Sequence, residues 1–563
     1  MGNTDSKITN VYRDYLLQLS NNDESISNDF YTDFLNVTAN LSLQTFNLVI
    51  TNNILRKIII SNPKNYINLL NFTISNFISL FRNFKTDTAT RKQANFYLKQ
   101  IITSIRIITK LAPVLFEQIS QTNIDILKHI SDDTKIHDFL ISEELITILL
   151  QLCFMENFTI QTNLYPSGTI NLVAWQAGIS SNVIPRDTEK LPISLQLPYL
   201  DSNRLEILNL FLTLSSLHLY TDTDATSPTL VNILLRTRQN KDMTLLLMIS
   251  ILNNFAHYSK RINDLKVITL YENPEKSYNT DSTESNINES NRSVVSSQQS
   301  IVTLKKNLII TSLQWFNLIT SNLSDDSKFL NDFLQNEFQL KLLLSTIVKI
   351  FKNPIDLAID QESNPLTFNN NDDNTNTNKS NSSLNSTTIN SQSRKSDQLK
   401  LKDFTIQLPK LDLIFVQNLI LLINLLKFNK IFENYFADKF SNKFLIFVIY
   451  YVKYYFNIPQ YCSNIIPLCY DLALYLTNKP LILHKLLQTF KSNYYTNKLP
   501  NFFKISNISN IDTLTYRDFI IIHVSNLSST DIKNNNILKS FYFEIIYNIL
   551  PINEKTLKNL SIS

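Results

Sequence analysis

Residues 98–115 read LKQIITSIRIITKLAPVL, and this stretch shows most clearly the pattern that decides the fold of the chain. Apolar side chains recur in it at intervals of three and four residues, which places them on one face of an α-helix. Stretches with the same period follow one another through most of the 563 residues. The sequence therefore predicts an all-α fold. The residues that share the face are Leu98, Ile101, Ile102, Ile105, Ile108, Ala112 and Leu115.

Consecutive amphipathic helices with short connections are typical of stacked antiparallel helices, as in HEAT and armadillo proteins. No single repeat length aligns the helices of this chain, so we predict an irregular α-solenoid. Prolines stand at most of the expected helix boundaries, because a residue without an amide hydrogen fits there. Pro354 is one of these, whereas Pro113 lies inside a helical pattern and predicts a kink.

Three segments interrupt the helical pattern. Residues 162–200 contain two of the three glycines, Trp175 and several prolines, and their mixed composition predicts an irregular but ordered loop. Residues 275–300 and 361–400 are rich in serine, asparagine and threonine, so we predict that both are disordered. The segments predicted to be helical are 7–161, 201–274, 301–360 and 401–563.

The two polar segments do not end the helical pattern, since apolar periodicity resumes directly after each of them. We therefore interpret them as insertions between neighbouring helices. A separation between domains is the alternative.

The composition excludes several classes of function. Three glycines in the whole chain cannot build the loops that bind nucleotide phosphates. The 52 basic and 48 acidic residues give a net charge of +4 without a dominant basic block, so nucleic acid is not an expected partner. Cys153, Cys462 and Cys469 are too few for a disulfide framework, and we interpret them as core thiols in a reducing compartment.

No catalytic residue, metal ligand or cofactor site is predicted. The six histidines lack the spacing of metal ligands, and the glycines cannot form a nucleophile elbow. We therefore expect neither an enzyme nor a small-molecule substrate. Ser293 follows Arg292 and Ser396 follows Lys395 within the polar segments, which makes the two serines candidate phosphorylation sites.

The amino terminus carries the one predicted modification site. Residues 1–7, MGNTDSK, fit the pattern for N-myristoylation, with Gly2 exposed once Met1 is removed and a hydroxyl at Ser6. We predict that residues 1–6 form a flexible acylated terminus. The alternative is an unmodified, frayed terminus.

The chain lacks a secretory signal near its start, and its apolar stretches Leu413–Leu426 and Phe444–Val452 are too short or too interrupted to span a bilayer. A location in the cytoplasm is therefore expected.

Residues 1–7 and three inner segments together resemble one known family. The inner segments are Cys153–Gln161, Trp175–Gly178 and Asn203–Leu208. They resemble the high-temperature-induced dauer-formation protein family, relatives of dymeclin. The resemblance implies a myristoylated peripheral protein on the cytosolic face of Golgi or trans-Golgi membranes, which acts in vesicle trafficking or cargo sorting without catalysis. Only Gly2 carries over as a functional residue. Proteins of this family commonly continue beyond the position of Ser563, so one interpretation of the chain is a fragment that lacks a carboxyl-terminal region.

Stable membrane binding requires more than Gly2, because one myristoyl chain gives a partition constant on the order of 10⁴ M⁻¹. Acidic neighbours offset Lys7 and Arg13, so the first residues lack a polybasic cluster. We therefore expect unidentified protein partners to supply the second signal. The competing hypothesis is a soluble α-helical scaffold of a cytosolic signalling or ubiquitin-related complex, without membrane contact.

Overall fold

The computed structural model describes residues 2–20, 26–86, 91–120, 142–160, 169–175, 198–220, 230–270, 288–321, 328–363, 408–456, 458–489, 498–504, 514–525 and 536–550. It describes the backbone only for residues 2–10, 85, 86, 91, 92, 218, 260–270, 288–301, 328, 361, 363, 459, 462, 536–538 and 542.

The described residues are mainly α-helical, and the β-structure among them consists of isolated bridges such as Met155 with Ile170. The all-α class is therefore confirmed, while the solenoid arrangement stays a prediction. The helices are α1 (Gly2–Ser20), α2 (Asn28–Ala39), α3 (Leu43–Val49), α4 (Asn52–Ser61), α5 (Pro63–Thr86), α6 (Arg91–Ser120), α7 (Glu143–Leu152), α8 (Pro198–Ser215), α9 (Leu230–Arg236), α10 (Arg238–Leu270), α11 (Asn288–Ser321), α12 (Lys328–Leu334), α13 (Glu337–Ser363), α14 (Leu413–Phe428), α15 (Lys430–Lys439), α16 (Ser441–Tyr455), α17 (Pro459–Cys462), α18 (Ile465–Thr477), α19 (Pro480–Leu486), α20 (Tyr516–Ser525) and α21 (Asn536–Ile549), and short 3₁₀ turns span Ser216–Leu219 and Asn501–Phe503.

Hydroxyl side chains begin several helices by accepting a hydrogen bond from a backbone amide in the first turn. Ser142 accepts from Leu145 N at the start of α7, and Ser42 and Thr51 do the same for α3 and α4. A cap of this kind contributes about 1 kcal/mol, because it satisfies an amide that has no partner inside the helix.

The chain divides into two compact units, and the division falls inside helices rather than at the polar segment 275–300. Unit 1 comprises Met1–Thr346 and Ile420–Glu433, and unit 2 comprises Ile347–Leu419 and Asn434–Ser563.

Helices α5 and α6 form an antiparallel pair in unit 1. The Tyr66 hydroxyl donates to the Leu111 carbonyl at 2.7 Å near one end, and the rings of Phe84 and Tyr97 lie 5.7 Å apart near the other. Pro113 lies inside the continuous helix α6.

Helices α6, α8 and α11 run parallel to one another. Arg106 of α6 contacts Glu206 of α8, and farther along α6 Phe116 lies beside Tyr220, which follows α8 and its 3₁₀ turn. Likewise α8 and α11 contact each other first through Asp201 and Lys305 and later through Phe211 and Trp315. This is the direction expected of equivalent helices in successive helical hairpins.

The core of unit 2 contains a dense group of aromatic rings around Phe351 of α13. The Phe351 ring lies 4.8 Å from that of Phe415 and 4.6 Å from that of Phe444. The Tyr451 hydroxyl donates to the Phe351 carbonyl, close to Pro354, whose missing amide leaves the helix one hydrogen bond short.

The structure differs from the predicted boundaries at several places. Helix α1 includes residues 2–6, and α11 begins at Asn288, within the predicted disordered segment 275–300. In both cases the buried part of the helix provides the nucleus, so further turns form with little additional free energy. Helix α13 continues through Pro354 because Ile355 and Ala358 behind it are buried.

The other predicted boundaries fall largely on residues that the structure leaves undescribed. Helix α8 begins at Pro198, inside the predicted loop 162–200, of which residues 169–175 are also described. Residues 275–287 and 364–400 of the polar segments lie outside the described part of the chain.

No single helix in the described ranges is long and apolar enough to cross a membrane. Helices α14 and α15 reach the required length only as a pair, and the chain bends by 111° between them.

His523 on α20 is buried between two aromatic rings of unit 2, and this burial predicts that the stability of unit 2 depends on pH. The ring centroids of Phe503 and Phe519 lie 4.3 Å from that of His523, and neither imidazole nitrogen has a hydrogen-bond partner among the described residues. Burial, with a smaller contribution from the charge of Lys453, lowers the pKa of His523 to about 3. The folded state therefore holds the imidazole neutral, whereas the unfolded chain protonates it near pH 6.5.

Because the pKa of His523 is lower in the folded state, stability is unaffected above pH 6.5 and is lost as the pH falls below that value. We expect unit 2 to lose about 2 kcal/mol between pH 6.5 and pH 5 from this group. Hydrogen exchange of the amides in Tyr516–Ser525 measures the loss. The variant His523→Phe keeps an aromatic ring in place, so its protection factors, which correct for the intrinsic exchange rate at each pH, should not change over this interval. An equal change of the protection factors in both proteins would contradict the assignment.

Candidate functional site

Gly2, the predicted lipidation site, is the first residue of α1. The side chains of Tyr12, Leu16 and Leu19 are buried and attach this helix to unit 1. The Tyr12 hydroxyl forms a hydrogen bond with Thr38 Oγ1 at 2.7 Å, and burial raises the pKa of this phenol far above its usual range. The amino terminus is therefore fixed to a helix whose position is set by packed side chains.

Helix α1 runs antiparallel to α2. Tyr12 contacts Phe34 and Thr38 in the later part of α2, whereas Tyr15 lies 5.3 Å from Phe30 in its earlier part. The start of α1 therefore lies at the end of α2.

Helix α6 also runs antiparallel to α2. Gln100 Nε2 donates to Asn36 Oδ1 at 2.8 Å in the later part of α2. The ring of Tyr31, in its earlier part, lies 5.4 Å from that of Phe72 in the first half of α5, which pairs with the later part of α6. Helices α1 and α6 therefore begin at the same end of the bundle that they form with α2 and α5, which we call the N-terminal bundle.

The two helix starts lie at a similar height in this bundle. Tyr12 and Gln100 contact the same part of α2, Gly2 precedes Tyr12 by ten residues, and Arg91 precedes Gln100 by nine. At 1.5 Å per residue, both helices begin roughly 15 Å beyond the part of α2 that Tyr12 and Gln100 contact. The backbone thus brings Gly2 and Arg91 to one end of the molecule's N-terminal bundle.

The two candidate phosphorylation sites are not tested by these contacts. Ser293 belongs to the first turns of α11, and Ser396 lies outside the described residues.

A buried polar cluster joins the inner segments that carry the family resemblance. Arg204 on α8 donates through Nη1 to Asp201 Oδ1 at 2.9 Å, and through Nε to the Thr159 carbonyl at 2.8 Å. The Arg204 and Asp201 side chains are each 3% exposed. Lys305 of α11 contacts the second oxygen of Asp201. Burial lowers the pKa of Arg204, and the carboxylate of Asp201 opposes this shift.

Trp175 also contacts this cluster. Its indole Nε1 donates to the Cys153 carbonyl at 2.7 Å, its backbone amide donates to Ser250 Oγ at 3.0 Å, and the Arg204 guanidinium lies 4.9 Å from its ring centroid. Segments that are distant in sequence therefore meet at one arginine.

The turn after α7 supplies the carbonyl groups that the cluster uses. Asn157 has a φ of 52°, a left-handed conformation that asparagine tolerates better than most residues. The Thr159 hydroxyl donates to the Leu152 carbonyl at 2.7 Å, and Asn203 Nδ2 donates to the Phe158 carbonyl at 2.9 Å. These bonds hold the turn so that the Thr159 carbonyl faces Arg204.

The contacts of this cluster hold helices and turns together. The Asp201 carboxylate binds both Arg204 and Lys305, and burial raises the pKa of the Cys153 thiol, which disfavours the reactive thiolate. Elsewhere in the described part of the chain, no three His, Cys, Asp or Glu side chains lie close enough to hold a metal ion. Arg204 lies in a segment that carries the resemblance, but the contact of Asp201 with Lys305 is not visible in the sequence, because it depends on how α8 and α11 pack.

The charge balance of the whole chain conceals a local imbalance that the sequence analysis also missed. Between residues 34 and 116 there are ten basic residues and one acid, Asp87. Arginines in this range pair with acids of other helices, as in Arg56 with Glu117 and Arg82 with Glu144. The basic residues are Arg56, Lys57, Lys64, Arg82, Lys85, Arg91, Lys92, Lys99, Arg106 and Lys110.

Comparison with known proteins identifies relatives of this chain. A family model described as high-temperature-induced dauer-formation protein matches residues 1–563. The protein ECM30 of Saccharomyces cerevisiae is 31% identical over 597 aligned positions, which cover 95% of this chain and 43% of that protein. The chain thus spans less than half the length of this relative. No solved structure matches the chain.

Proposed function

This chain belongs to the high-temperature-induced dauer-formation protein family, and from that membership we propose that it is a peripheral membrane scaffold on the cytosolic face of Golgi or trans-Golgi membranes. In this role it binds protein partners and acts in vesicle trafficking or cargo sorting. It catalyses no reaction and requires no cofactor.

The observation that carries the proposal is the position of Gly2 at the start of a packed helix. An acyl chain on Gly2 extends from the start of α1, a helix that Tyr12 and Leu16 hold against unit 1. A membrane that takes up this chain also meets the surrounding end of the N-terminal bundle, because the attachment point is close to the folded surface. Long helices then present large side surfaces to partner proteins.

The proposal predicts where the protein is found in a cell. A fluorescent protein fused to the carboxyl terminus of the chain leaves Gly2 available for acylation. We expect the fusion protein to colocalise with a Golgi marker and to sediment with membranes. A drug that disperses the Golgi should also disperse the fluorescence of the fusion protein. A fusion that stays entirely in the soluble fraction and overlaps no Golgi marker would instead favour the cytosolic scaffold.

A further inference from the structure

The end of the N-terminal bundle where α1 begins also holds several basic residues of α5 and α6. Lys99 Nζ donates to Asn40 Oδ1 at 2.9 Å, which places this lysine beside the end of α2. Lys92 lies two turns before Lys99, and Arg91 is the first residue of α6. Lys85 belongs to the last turn of α5, which the antiparallel pairing brings to the same end. We call this group, Lys85, Arg91, Lys92 and Lys99, the basic end.

The basic end differs from the arginines elsewhere in the bundle. Arg56 and Arg106 are engaged with Glu117 and Glu206, so their charges serve contacts between helices. Lys99 is exposed and takes part in no ion pair among the described residues. Its charge is therefore available to a partner outside the chain.

Exposed apolar side chains accompany these charges. Phe96 lies one turn before Lys99 on α6 and is 53% exposed, and Val11 of α1, next to the Tyr12 that contacts Thr38, is 47% exposed. An aromatic ring next to lysines is the composition of a surface that lies at the interface of a bilayer, where the ring enters the headgroup layer and the lysines meet the phosphates.

We propose that the basic end is a docking surface for anionic lipid headgroups and that it supplies the second membrane signal beside the acyl chain on Gly2. The inference rests on the proposed function, because the acyl chain and the basic end act on the same bilayer. The sequence around Gly2 favours a protein as the second signal, since it contains no polybasic cluster. The fold assembles such a cluster from residues some ninety positions later in the chain.

A membrane fits this surface better than a nucleic acid does. The charges come mainly from lysine, the neighbouring exposed ring is apolar, and the attachment point of the acyl chain lies at the same end. Each lysine or arginine near an anionic bilayer strengthens binding roughly five-fold, so a few of them convert the marginal binding of one myristoyl chain into stable association.

The test uses the full-length protein acylated on Gly2, with vesicles of phosphatidylcholine alone or with a one-fifth share of phosphatidylserine. The double variant Lys92→Gln with Lys99→Gln removes two charges at the basic end. The matched control, Lys57→Gln with Lys64→Gln, removes two exposed charges from α4 and from the opposite end of α5. Both variants have the same net charge, so a general electrostatic effect would be equal in the two.

We expect wild type to bind the vesicles with phosphatidylserine more tightly, and physiological salt to weaken this binding. The basic-end variant should lose roughly twenty-five-fold in the partition constant, from two lysines at roughly five-fold each, whereas the control should lose less than about three-fold. Equal losses in the two variants, equal binding to both kinds of vesicle, or displacement by a short DNA duplex would overturn the proposal.

The same experiment separates this inference from the proposed function. If acylated protein binds both kinds of vesicle equally, the basic end does not contribute to membrane binding, and the acyl chain alone anchors the protein. If protein purified from cells carries no acyl group, the proposed function fails, and the vesicle test on enzymatically acylated protein still decides the role of the basic end.

Discussion

Replacing Arg204 with methionine is expected to lower the free energy of unfolding of unit 1 by about 3–5 kcal/mol. The variant keeps an unbranched apolar chain in place of the Arg204 methylenes but removes the guanidinium, and with it the hydrogen bonds to Asp201 and to the Thr159 carbonyl. Both acceptors are buried, and an unpaired buried carboxylate costs more than the pair contributes. Lys305 still contacts Asp201, so the lower half of this range is the expected result.

Tryptophan fluorescence during urea unfolding measures this loss in unit 1 alone. The chain has two tryptophans, Trp175 and Trp315, and both are buried in that unit. Because a domain is usually stable by about 5–15 kcal/mol, the transition should move to a much lower urea concentration.

Arg56→Met is the matched control for Arg204→Met. Arg56 also binds a carboxylate with two nitrogens, to Glu117 at 2.7 and 2.8 Å, but these side chains are 41% and 28% exposed. Water replaces the lost contacts there, so the control should move the transition far less. An equal shift in both variants would mean that burial of the Arg204 cluster does not determine its contribution.

The period of apolar residues was sufficient to predict the helices, because burial of one helix face acts locally in sequence. Ile101, Ile105 and Ile108 are each buried in α6 as that period requires. Helix ends were predicted less well, since they depend on packing. Pro354 lies within α13 because the residues beyond it are buried, which the proline itself cannot indicate.

The buried cluster could be predicted only in part. Asp201 and Arg204 are one helical turn apart, so their contact follows from sequence spacing, but pairs with this spacing usually lie on exposed helix faces. Their burial depends on Trp175 and Thr159, which reach Arg204 through the turn after α7 and the segment that follows it. The path of such a segment is not encoded in a periodic pattern.

The basic end could also be predicted only in part from the sequence. The neighbours of Gly2 in sequence form no polybasic cluster, whereas Lys92 and Lys99 come to the same end of the N-terminal bundle because α1 and α6 both pack antiparallel to α2. The excess of basic residues between 34 and 116 is visible in the sequence, but its location relative to Gly2 is not.

Gly2→Ala is expected to lower the membrane-bound fraction of the protein roughly ten-fold or more, because it removes the acceptor of the acyl chain and with it the apolar contribution to binding. Alanine favours helix, so α1 should stay folded and the thermal transition of the protein should not fall. Thr4→Ala is the control, since it changes a neighbouring residue and keeps both Gly2 and Ser6.

Flotation of cell membranes with wild type, Gly2→Ala and Thr4→Ala tests whether the acyl chain on Gly2 holds the protein on Golgi membranes. We expect wild type and Thr4→Ala to float with Golgi membranes while Gly2→Ala remains in the soluble fraction. Flotation of Gly2→Ala to the same extent as wild type would contradict this expectation, as would a wild-type protein that never leaves the soluble fraction.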